Sequence, residues 1–196
     1  RALVRNGQRK LSEFYSNAGY FDADIEFVID ELPTDPNAEQ NTFRVIYDIK
    51  NEGKPVVINR ILVAGNSHTK ETAIRRALAL EPNELLKAAD IYASEQNLYS
   101  TDAFERVTIK PQPAGDRPDG SRLSDVIVDV QEQKPRLLQY GGGFSTDVGW
   151  SGFADLRHFN LLGNLWQGGA RIRWSQRQQL VGIDFINPRF IRESKN

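Results

Sequence analysis

The sequence predicts an α+β protein in which a mixed helix-and-strand body is followed by a run of antiparallel strands. Three observations predict this class. The composition changes near Pro135, because residues 1–136 hold 18 Lys and Arg against 22 Asp and Glu, whereas residues 137–196 hold 7 against 4. The body contains an internal repeat of helices and strands. The last 60 residues hold all 3 Trp and 9 of the 15 Gly, in segments that alternate apolar and polar residues.

Composition excludes several classes of protein. The chain of 196 residues is 39% hydrophobic and 26% charged, which is enough apolar sequence to bury a core. Its net charge of −1 offers no positive field for bulk nucleic-acid binding, so no nucleic-acid partner is expected. The absence of Cys excludes disulfides, thiolate metal sites and cysteine nucleophiles. No apolar run approaches the roughly 18 residues of a transmembrane helix.

The body is predicted to begin with a helix and two strands. Apolar residues recur at helical spacing up to Gly19, a residue that suits the positive φ of a helix C-terminus. Residues 25–29 and 43–49 have the composition of strands, and the Pro-containing segment 33–37 predicts a turn between them.

A second unit is predicted to begin at residue 57. Its elements, in order, are a strand at 57–63 that ends in the Gly65-Asn66 turn, helices at about 70–80 and 83–97, and strands at 104–110 and 126–131 joined by a loop at 114–122. The second helix is predicted to direct Leu85, Ala89 and Tyr92 inward, and the first to direct Ala73, Ile74, Ala77 and Leu78 inward. Residues 1–55 supply the last three elements of the same order, so the body is an internal repeat with a truncated first copy.

The tail is predicted to form four antiparallel strands of about ten residues, each with one apolar and one polar face. For example, Ala170, Ile172 and Trp174 alternate with Arg171 and Arg173. Such segments are typical of transmembrane β-barrel strands, and also of a soluble antiparallel sheet with one wet face. The basic residues of the polar face, which include Arg157, fit either interpretation.

No residue pattern predicts catalysis, a metal or a bound cofactor, so the chain is not expected to be an enzyme. His68 and His158 are the 2 histidines of the chain and lack the spacing of a zinc site. The segment Gly141-x-Gly143 lacks the third glycine and the following helix of a dinucleotide motif. Asp119-Gly120 predicts a hairpin turn, since the alternating ligands and later Glu of a calcium loop are missing.

Several short motifs together resemble a known family. The truncated copy holds Gly19-Tyr20-Phe21-Asp22-Ala23, and the complete copy holds Ile61-x-Val63-x-Gly65-Asn66 and Leu98-Tyr99-x-Thr101-x-Ala103-Phe104. The tail holds Gly141-Gly142-Gly143-Phe144, Asn160-Leu161-Leu162-Gly163, Gly168-Gly169-Ala170 and Asp184-Phe185-x-Asn187-Pro188-Arg189-Phe190. The repeat resembles a POTRA domain, and the tail resembles the start of the barrel, of the BamA-like outer-membrane assembly factors. The resemblance covers nearly the whole chain.

This resemblance implies a fold and a division into domains. It implies tandem POTRA domains of β-α-α-β-β order, the first copy truncated, followed by antiparallel strands from the N-terminal part of an outer-membrane β-barrel. The implied domains are residues 1–55 (the C-terminal part of a POTRA domain), 56–135 (a complete POTRA domain) and 136–196 (the first strands of the barrel). Because single-chain barrels have about eight strands or more, these strands are expected to belong to a longer protein.

The resemblance also implies assembly and insertion of outer-membrane β-barrel proteins. In this family the POTRA domains bind unfolded client chains and accessory lipoproteins in the periplasm, here by strand augmentation, and the first barrel strand forms one edge of a lateral gate. The implied location is the cell outer membrane, with the POTRA domains in the periplasm and outer-membrane lipid around the full-length protein. No cofactor is implied.

Three sets of site residues follow from the resemblance. The client or gate edge strand is Leu138, Gln139, Tyr140, Gly141, Gly142, Gly143 and Phe144. The membrane-interface aromatic residues are Trp150, Trp166 and Trp174, for which an ordinary core position is the alternative. The POTRA motif residues are Gly19, Tyr20, Phe21, Gly65, Asn66, Leu98, Tyr99 and Phe104.

Two other functions share parts of this pattern. A two-partner secretion transporter has the same layout but exports a dedicated partner, and a periplasmic POTRA-like scaffold binds proteins without membrane insertion. The three consecutive glycines either lower the cost of opening an edge strand or form a flexible linker. Open edges in the tail also predict a possible strand-swapped oligomer of the fragment.

Overall fold

The computed structural model describes residues 2–32, 43–147 and 149–187, and within these ranges it has three helices and nine strands. In chain order they are α1 (Ala2–Asn17), β1 (Asp24–Glu31), β2 (Phe43–Asn51), β3 (Val56–Ala64), α2 (Glu71–Ala77), α3 (Ala88–Tyr99), β4 (Phe104–Asp116), β5 (Arg122–Glu132), β6 (Arg136–Ser145), β7 (Gly149–Leu161), β8 (Trp166–Ser175) and β9 (Gln179–Ile186). The predicted α+β class is confirmed. The turn predicted at 33–37 and the motif residues Pro188, Arg189 and Phe190 lie outside the described residues.

The strands of the described residues form three sheets. β1 and β2 pair antiparallel, while β3, β5 and β4 lie side by side in that order and form what we call the repeat sheet. β6, β7, β8 and β9 pair antiparallel in chain order and form what we call the tail sheet. The tail sheet confirms the run of antiparallel strands that the alternating pattern predicts.

The chain divides into two compact units. The first unit comprises residues 1–61, 80–91 and 111–126. In this unit α1 packs on the pair β1 and β2. The Tyr47 hydroxyl donates to the Val4 carbonyl at 2.9 Å, and the Gln8 side-chain amide donates to the Ile25 carbonyl at 2.6 Å. The buried apolar residues of the unit are Ile25, Val56, Val57, Ile58, Ile61, Leu80, Leu86 and Val126.

Within the same unit, residues at and after the end of α1 form hydrogen bonds with β3 and α3. Gly19 has a φ of +90°, as the helix C-terminus requires, and its carbonyl accepts the Val56 N–H at 2.9 Å. The Asn17 side-chain oxygen accepts the Ala89 N–H at 2.8 Å. Because Ala89 lies in the first turn of α3, this bond satisfies one of the N–H groups that a helix leaves free at its start. The end of α1 therefore caps the start of α3.

The second unit comprises residues 62–79, 92–110 and 127–196, and contains α2, most of α3 and the tail sheet. The Ser94 hydroxyl accepts the Ala79 N–H at 2.8 Å, and the Asn97 amide donates to the Ala77 carbonyl at 2.9 Å, so α3 holds the end of α2. The buried apolar residues of the unit are Ala73, Ile74, Ala77, Leu98, Ala103, Phe104, Val107, Ile109, Val128, Val130 and Leu165. Three of the four residues predicted for the inner face of α2 are among them.

The predicted start of the second repeat helix is wrong. α3 begins at Ala88 rather than 83, because the segment 83–86 forms hydrogen bonds with β3 instead of a helical turn. The Ile58 N–H donates to the Glu84 carbonyl at 2.9 Å, and the Ile58 carbonyl accepts the Asn83 N–H at 2.7 Å. Asn83 also has a φ of 70°, which is incompatible with a helix.

The face that α3 buries also differs from the prediction. Leu85, Ala89 and Tyr92 were expected to point inward, and all three are exposed. Ser94 and Leu98 are the fully buried residues of α3. Ala89 and Tyr92 lie on the side of α3 opposite Ser94 and Leu98, since each residue adds about 100° around a helix.

The hairpin between β4 and β5 is tighter than predicted. The two strands reach Asp116 and Arg122, so the connecting loop is 117–121 rather than 114–122. The Asp119 carboxylate accepts the Ser121 N–H at 2.9 Å and the Ser121 hydroxyl at 2.6 Å. Gly120 supplies a φ of +87°. The hairpin turn predicted at Asp119-Gly120 is confirmed.

Candidate functional site

The tail sheet has one apolar face, and that face is exposed. Register places Tyr140, Ala154, Ile172 and Val181 in one row across the sheet. Ile183 is 85% exposed and Tyr140 is 78% exposed. The large apolar residues that share this face are Leu138, Tyr140, Phe144, Trp150, Leu156, Trp166, Ile172, Trp174, Val181, Ile183 and Phe185. A continuous apolar surface of this kind indicates contact with lipid or with another protein.

The opposite face of the tail sheet is mainly polar. Register aligns Gln139, Asp155, Arg171 and Gly182 in one row across the four strands. Arg171 donates to Asp184 at 3.1 Å, between neighbouring strands β8 and β9. Arg157 and Arg173 occupy the same face, opposite the apolar residues of β8. The alternation expected from the sequence therefore places Arg157, Arg171 and Arg173 on the face opposite the apolar one.

Aromatic residues mark both ends of the apolar face. Trp166 and Trp174 lie at opposite ends of β8, eight positions apart, which is about 26 Å at roughly 3.3 Å per residue. The Trp150 ring contacts Phe144 with centroids 5.4 Å apart, and the Trp166 ring contacts Phe185 with centroids 5.6 Å apart. For strands tilted by about 40°, this separation spans roughly 20 Å of height, close to the apolar band of about 25 Å in outer-membrane barrels.

The backbone of β6 has an open side. The Phe159 N–H donates to the Pro135 carbonyl at 2.8 Å, so the residue pair 135 and 159 is a hydrogen-bonded pair of the antiparallel ladder. The ladder alternates, so Gln139, Gly141 and Gly143 direct their backbone groups toward β7. The residues that direct them the other way are Leu138, Tyr140, Gly142 and Phe144. In the described part of the chain, no strand pairs with β6 on that side.

Three consecutive glycines, at positions 141–143, leave the centre of β6 without side chains. A side chain at Gly141 would lie 2.8 Å from the Phe153 ring, which covers this glycine on the polar face. Gly143 has open space beside it. A recess of ≈ 580 Å³ follows on this side, and its lining includes Gly143, Ser151, Phe153 and Arg173. Removing side chains from an edge strand reduces the packing that holds it in place.

The outer edge of β4 in the repeat sheet is blocked, in contrast to β6. The Tyr99 hydroxyl donates to the Val107 carbonyl at 3.2 Å and accepts the Val107 N–H at 3.0 Å. The Glu95 carboxylate accepts the Ile109 N–H at 3.2 Å. Farther along β4, Pro111 and Pro113 have no N–H to offer. Side chains of α3 and two prolines therefore protect this edge from strand addition.

The other POTRA motif residues lie in turns and in the core. Gly65 has a φ of +84°, and a side chain there would lie 2.0 Å from the Val130 carbonyl oxygen. The Asn66 amide donates to the Thr69 carbonyl at 2.9 Å. Leu98 and Phe104 are buried. Gly19 and Tyr20 lie in the turn after α1, where the Tyr20 N–H donates to the Tyr15 carbonyl, and Phe21 is half-buried.

A carboxylate that the sequence did not single out anchors the start of α2. Glu132, at the end of β5, accepts the Thr69 N–H at 2.7 Å, the Ser67 hydroxyl at 2.8 Å and the His68 N–H at 3.0 Å. Burial alone would raise the pKa of Glu132, but the hydrogen bonds from Thr69, Ser67 and His68 outweigh it and lower the pKa to about 2. No local pattern could reveal this cluster, because 63 positions separate Thr69 from Glu132.

The cluster has the residue types of a catalytic triad but not its geometry. The Ser67 hydroxyl and the Glu132 carboxylate both approach the same His68 nitrogen, Nδ1, at 3.1 Å. A triad requires the carboxylate on one ring nitrogen and the nucleophile on the other, so that the imidazole can accept the hydroxyl proton. Ser67 instead donates directly to Glu132. The arrangement stabilises a turn.

Comparisons with known proteins agree with this architecture. Residues 56–133 match the family model described as POTRA, surface antigen variable number repeat. An outer membrane protein assembly factor BamA from Nitratidesulfovibrio vulgaris is 26% identical over 187 residues, which is 95% of this chain and 22% of that protein. The factor of the same name from Neorickettsia risticii is 29% identical over 137 residues, 69% of this chain and 17% of that protein. The chain thus spans about a fifth of the length of these curated relatives.

A solved structure has the same fold. The crystal structure of BamA from Haemophilus ducreyi lacking POTRA domains 1-3 superposes with a TM-score of 0.75 at 17% identity, covering 97% of this chain and 34% of that chain. None of the helices in the described ranges is long and apolar enough to cross a membrane. The resemblance noted in the sequence is confirmed: residues 56–133 match the POTRA family model, and most of the chain is similar in sequence to BamA outer-membrane assembly factors.

Proposed function

We propose that this chain acts in the assembly and insertion of outer-membrane β-barrel proteins, and that client strands pair with the open side of β6. The chain lies in the cell outer membrane with its POTRA domains in the periplasm. The observation that carries the proposal is the geometry of β6. Leu138, Tyr140, Gly142 and Phe144 direct backbone groups away from β7 while their side chains lie on the apolar face.

Strand pairing itself supplies the driving force in this proposal. Inside a bilayer, each unpaired backbone group costs several kcal/mol, so an open strand edge and an unpaired client strand stabilise each other. Backbone pairing depends little on side-chain identity, which suits a protein that handles many clients. No nucleotide or other cofactor is needed, because hydrogen bonding and burial of apolar client surface favour insertion.

The tail sheet is proposed to form part of a barrel wall. Its apolar face contacts outer-membrane lipid, and Trp150, Trp166 and Trp174 lie at the two membrane interfaces. The opposite face, with Arg171 and Arg173, faces the water-filled interior. The separation of Trp166 and Trp174 along β8 supports this assignment, because it approaches the height of an apolar membrane band.

The POTRA part, residues 1–55 and 56–135, is proposed to bind unfolded clients and accessory lipoproteins by strand augmentation. In the complete copy we assign this pairing to the second half of β3. The Ile58 N–H and carbonyl point toward the segment 83–86, so Arg60, Leu62 and Ala64 direct their backbone groups to the same side beyond that segment. Leu62 is exposed there. The edge of β4 is excluded at Val107 and Ile109 by the contacts from α3.

Disulfide crosslinking in the intact membrane protein tests the client edge. Tyr140→Cys places a thiol on β6, and Ala154→Cys is the matched control, because Ala154 pairs with Tyr140 on the same face one strand inward. The chain has no Cys of its own to interfere. A client carrying a cysteine in a terminal strand should crosslink to Tyr140→Cys and not to Ala154→Cys. Equal crosslinking at both positions, or none at Leu138, Tyr140, Gly142 and Phe144 in turn, would contradict the proposal.

Depletion of the intact protein separates general assembly from dedicated secretion. General assembly predicts that porins disappear from the outer membrane while unfolded porins accumulate in the periplasm. Unchanged porins together with the loss of one exported protein would instead support two-partner secretion. Unchanged porins and no loss of export would favour a periplasmic scaffold.

A further inference from the structure

The turn between β7 and β8, residues 162–165, is docked onto the POTRA repeat. The Gly163 carbonyl accepts the Lys70 N–H at 3.0 Å, at the residue that precedes α2. The Gln167 side-chain amide donates to the Thr101 carbonyl at 3.0 Å, just after α3. A side chain at Gly163 would lie 2.5 Å from the His68 carbonyl oxygen, so only glycine permits this approach. All of these residues belong to the second compact unit.

Asn160 connects the turn to the repeat through both ends of its side chain. Its oxygen accepts the Leu165 N–H at 3.0 Å, and its NH2 group donates to the Thr69 hydroxyl at 2.8 Å. Asn160 is 8% exposed, Thr69 is 3% exposed and Leu165 is 1% exposed. Buried polar groups cost little when they are fully paired and a great deal when one partner is removed. We call the contact of Asn160 with Thr69 and Leu165 the joint between the tail sheet and the repeat. It is buried, and the side-chain oxygen and NH2 group of Asn160 both have partners.

The backbone of the turn also depends on this docking. Leu162 has a φ of 56° and Leu165 a φ of 60°, which are unfavourable conformations for residues other than glycine. A chain keeps such conformations where surrounding contacts determine them. The bond from Asn160 to the Leu165 N–H and the burial of the Leu165 side chain provide those contacts.

We propose that Asn160 is a positioning residue that holds the tail sheet in one fixed orientation on the POTRA repeat. This inference rests on the proposed function, because it adds that the client edge of β6 is presented at a set place relative to the repeat that binds the client. β6 pairs with β7 along its length, and β7 ends at the docked turn. Movement of the repeat is thereby transmitted to the strand beside the client edge.

Distance measurements between spin labels on the intact protein test the joint without a client. Labels at Arg76→Cys on α2 and Arg177→Cys in the turn before β9 report the orientation of the tail sheet. The parent protein should give one narrow distance distribution. Asn160→Ala should broaden it or add a second population, and should raise the hydrogen-exchange rate of the Leu165 amide by about tenfold or more. Asn164→Ala is the matched control in the same turn, because its bond to Lys70 at 3.1 Å is exposed.

A second pair of variants separates positioning from folding. Thr69→Ser keeps the hydroxyl that Asn160 contacts and should retain the narrow distribution, whereas Thr69→Val removes the hydroxyl and should broaden it. An unchanged distribution in Asn160→Ala and Thr69→Val, even with a lower melting temperature, would overturn the proposal. The proposed function fails separately, when the narrow distribution is intact and no client crosslinks to Tyr140→Cys.

Discussion

The two edge strands β4 and β6 differ in whether their outward backbone groups have partners. Both are outer strands with a row of backbone groups directed away from the sheet. On β4, the Tyr99 hydroxyl occupies both backbone groups of Val107, and Glu95 holds the Ile109 N–H. On β6, the corresponding groups meet no strand in the described ranges, and glycines replace side chains at 141–143. An edge is thus protected where pairing would be harmful and left open where the proposed function uses it.

The burial of apolar side chains follows the same division. The repeat encloses Ile74, Leu98 and Val128 in a core, as a protein that folds in water must. The tail sheet leaves Tyr140 and Ile183 exposed on one face. The proposed function accounts for this difference, because it places the repeat in water and the apolar face of the tail sheet against lipid.

The largest expected effect comes from closing the edge of β6. Leu138→Pro removes an outward N–H without removing a bond to β7, so a client carbonyl loses its partner inside the bilayer. We expect client porin assembly to fall by about tenfold or more, since the lost pairing exceeds about 1.4 kcal/mol. Assembly is measured by porin levels in cells that depend on the variant. Leu138→Ala keeps the N–H and should assemble clients normally; a similar loss in both variants would assign the effect to the side chain.

A substitution at Glu132 tests how much this carboxylate contributes to the stability of the repeat. Glu132→Gln weakens charge-assisted hydrogen bonds from Ser67, His68 and Thr69 and should lower the free energy of unfolding by about 2–3 kcal/mol. Urea unfolding followed by circular dichroism measures this change. Glu105→Gln is the control, because Glu105 lies on the same sheet with an exposed bond to Gln131. A loss of similar size in both variants would argue against a specific anchor at Glu132.

The same carboxylate sets an acid limit for the repeat. Its pKa is lowered in the folded protein from 4.5 to about 2, so the ionised form stabilises the fold above the unfolded value. The stabilisation is full above pH 4.5 and is lost as the pH falls from 4.5 toward about 2. Unfolding free energy measured across this window should fall less steeply in Glu132→Gln. Parallel pH profiles for the two proteins would contradict this assignment.

Opening the protected edge of β4 should have an intermediate effect. Tyr99→Phe leaves the N–H and carbonyl of Val107 without their partner, which should cost about 1–3 kcal/mol of stability. It should also promote association through β4, detected as a dimer by size-exclusion chromatography with light scattering. Tyr92→Phe is the control on the same helix, since Tyr92 is 64% exposed. A Tyr99→Phe variant that is as stable and as monomeric as Tyr92→Phe would show that the hydroxyl does not protect the edge.

The smallest effect is expected for a carboxylate of the tail sheet. Asp184 pairs with Arg171 at 3.1 Å, and both side chains are about 40% exposed. Asp184→Asn should lower stability by about 0.2–1 kcal/mol, because exposed ion pairs gain little over hydration. Thermal unfolding of the membrane-inserted protein measures this change. A loss of stability as large as that of Glu132→Gln would contradict the expectation that polar contacts stabilise the repeat more than they stabilise the exposed tail sheet.

Periodic features were predictable from the sequence, and long-range ones were not. The two faces of β8 follow from the alternation of Arg171, Ile172 and Arg173, since side chains on a strand point to opposite faces in turn. The start of α3 was missed because the segment 83–86 satisfies its backbone on β3, more than 20 positions earlier in the chain.

The candidate site shows the same limit. The glycines of β6 and the residue Tyr99 were recognisable as motif residues, whereas the open edge and the protection of β4 depend on contacts between elements. The bond between Asn160 and Thr69 joins positions 91 apart and leaves no local pattern. Residues so far apart in the sequence become hydrogen-bond partners only because the fold brings them together. The partner of a given residue can therefore be identified only once the arrangement of the sheets is known.

The bond from Asn17 to the Ala89 N–H has a practical meaning for anyone who recombines these repeats. A POTRA module cut at residue 55 leaves α3 without its cap, because the capping side chain, Asn17, lies in α1 before the cut. The Val56 N–H also loses its acceptor, the Gly19 carbonyl. A chimera that exchanges residues 1–55 must therefore supply an Asn, Asp or Ser at the end of its own first helix. A segment that keeps the cap of α3 must begin at the last turn of α1, whereas the POTRA match begins at residue 56. The boundary suitable for recombination therefore differs from the boundary of the POTRA match.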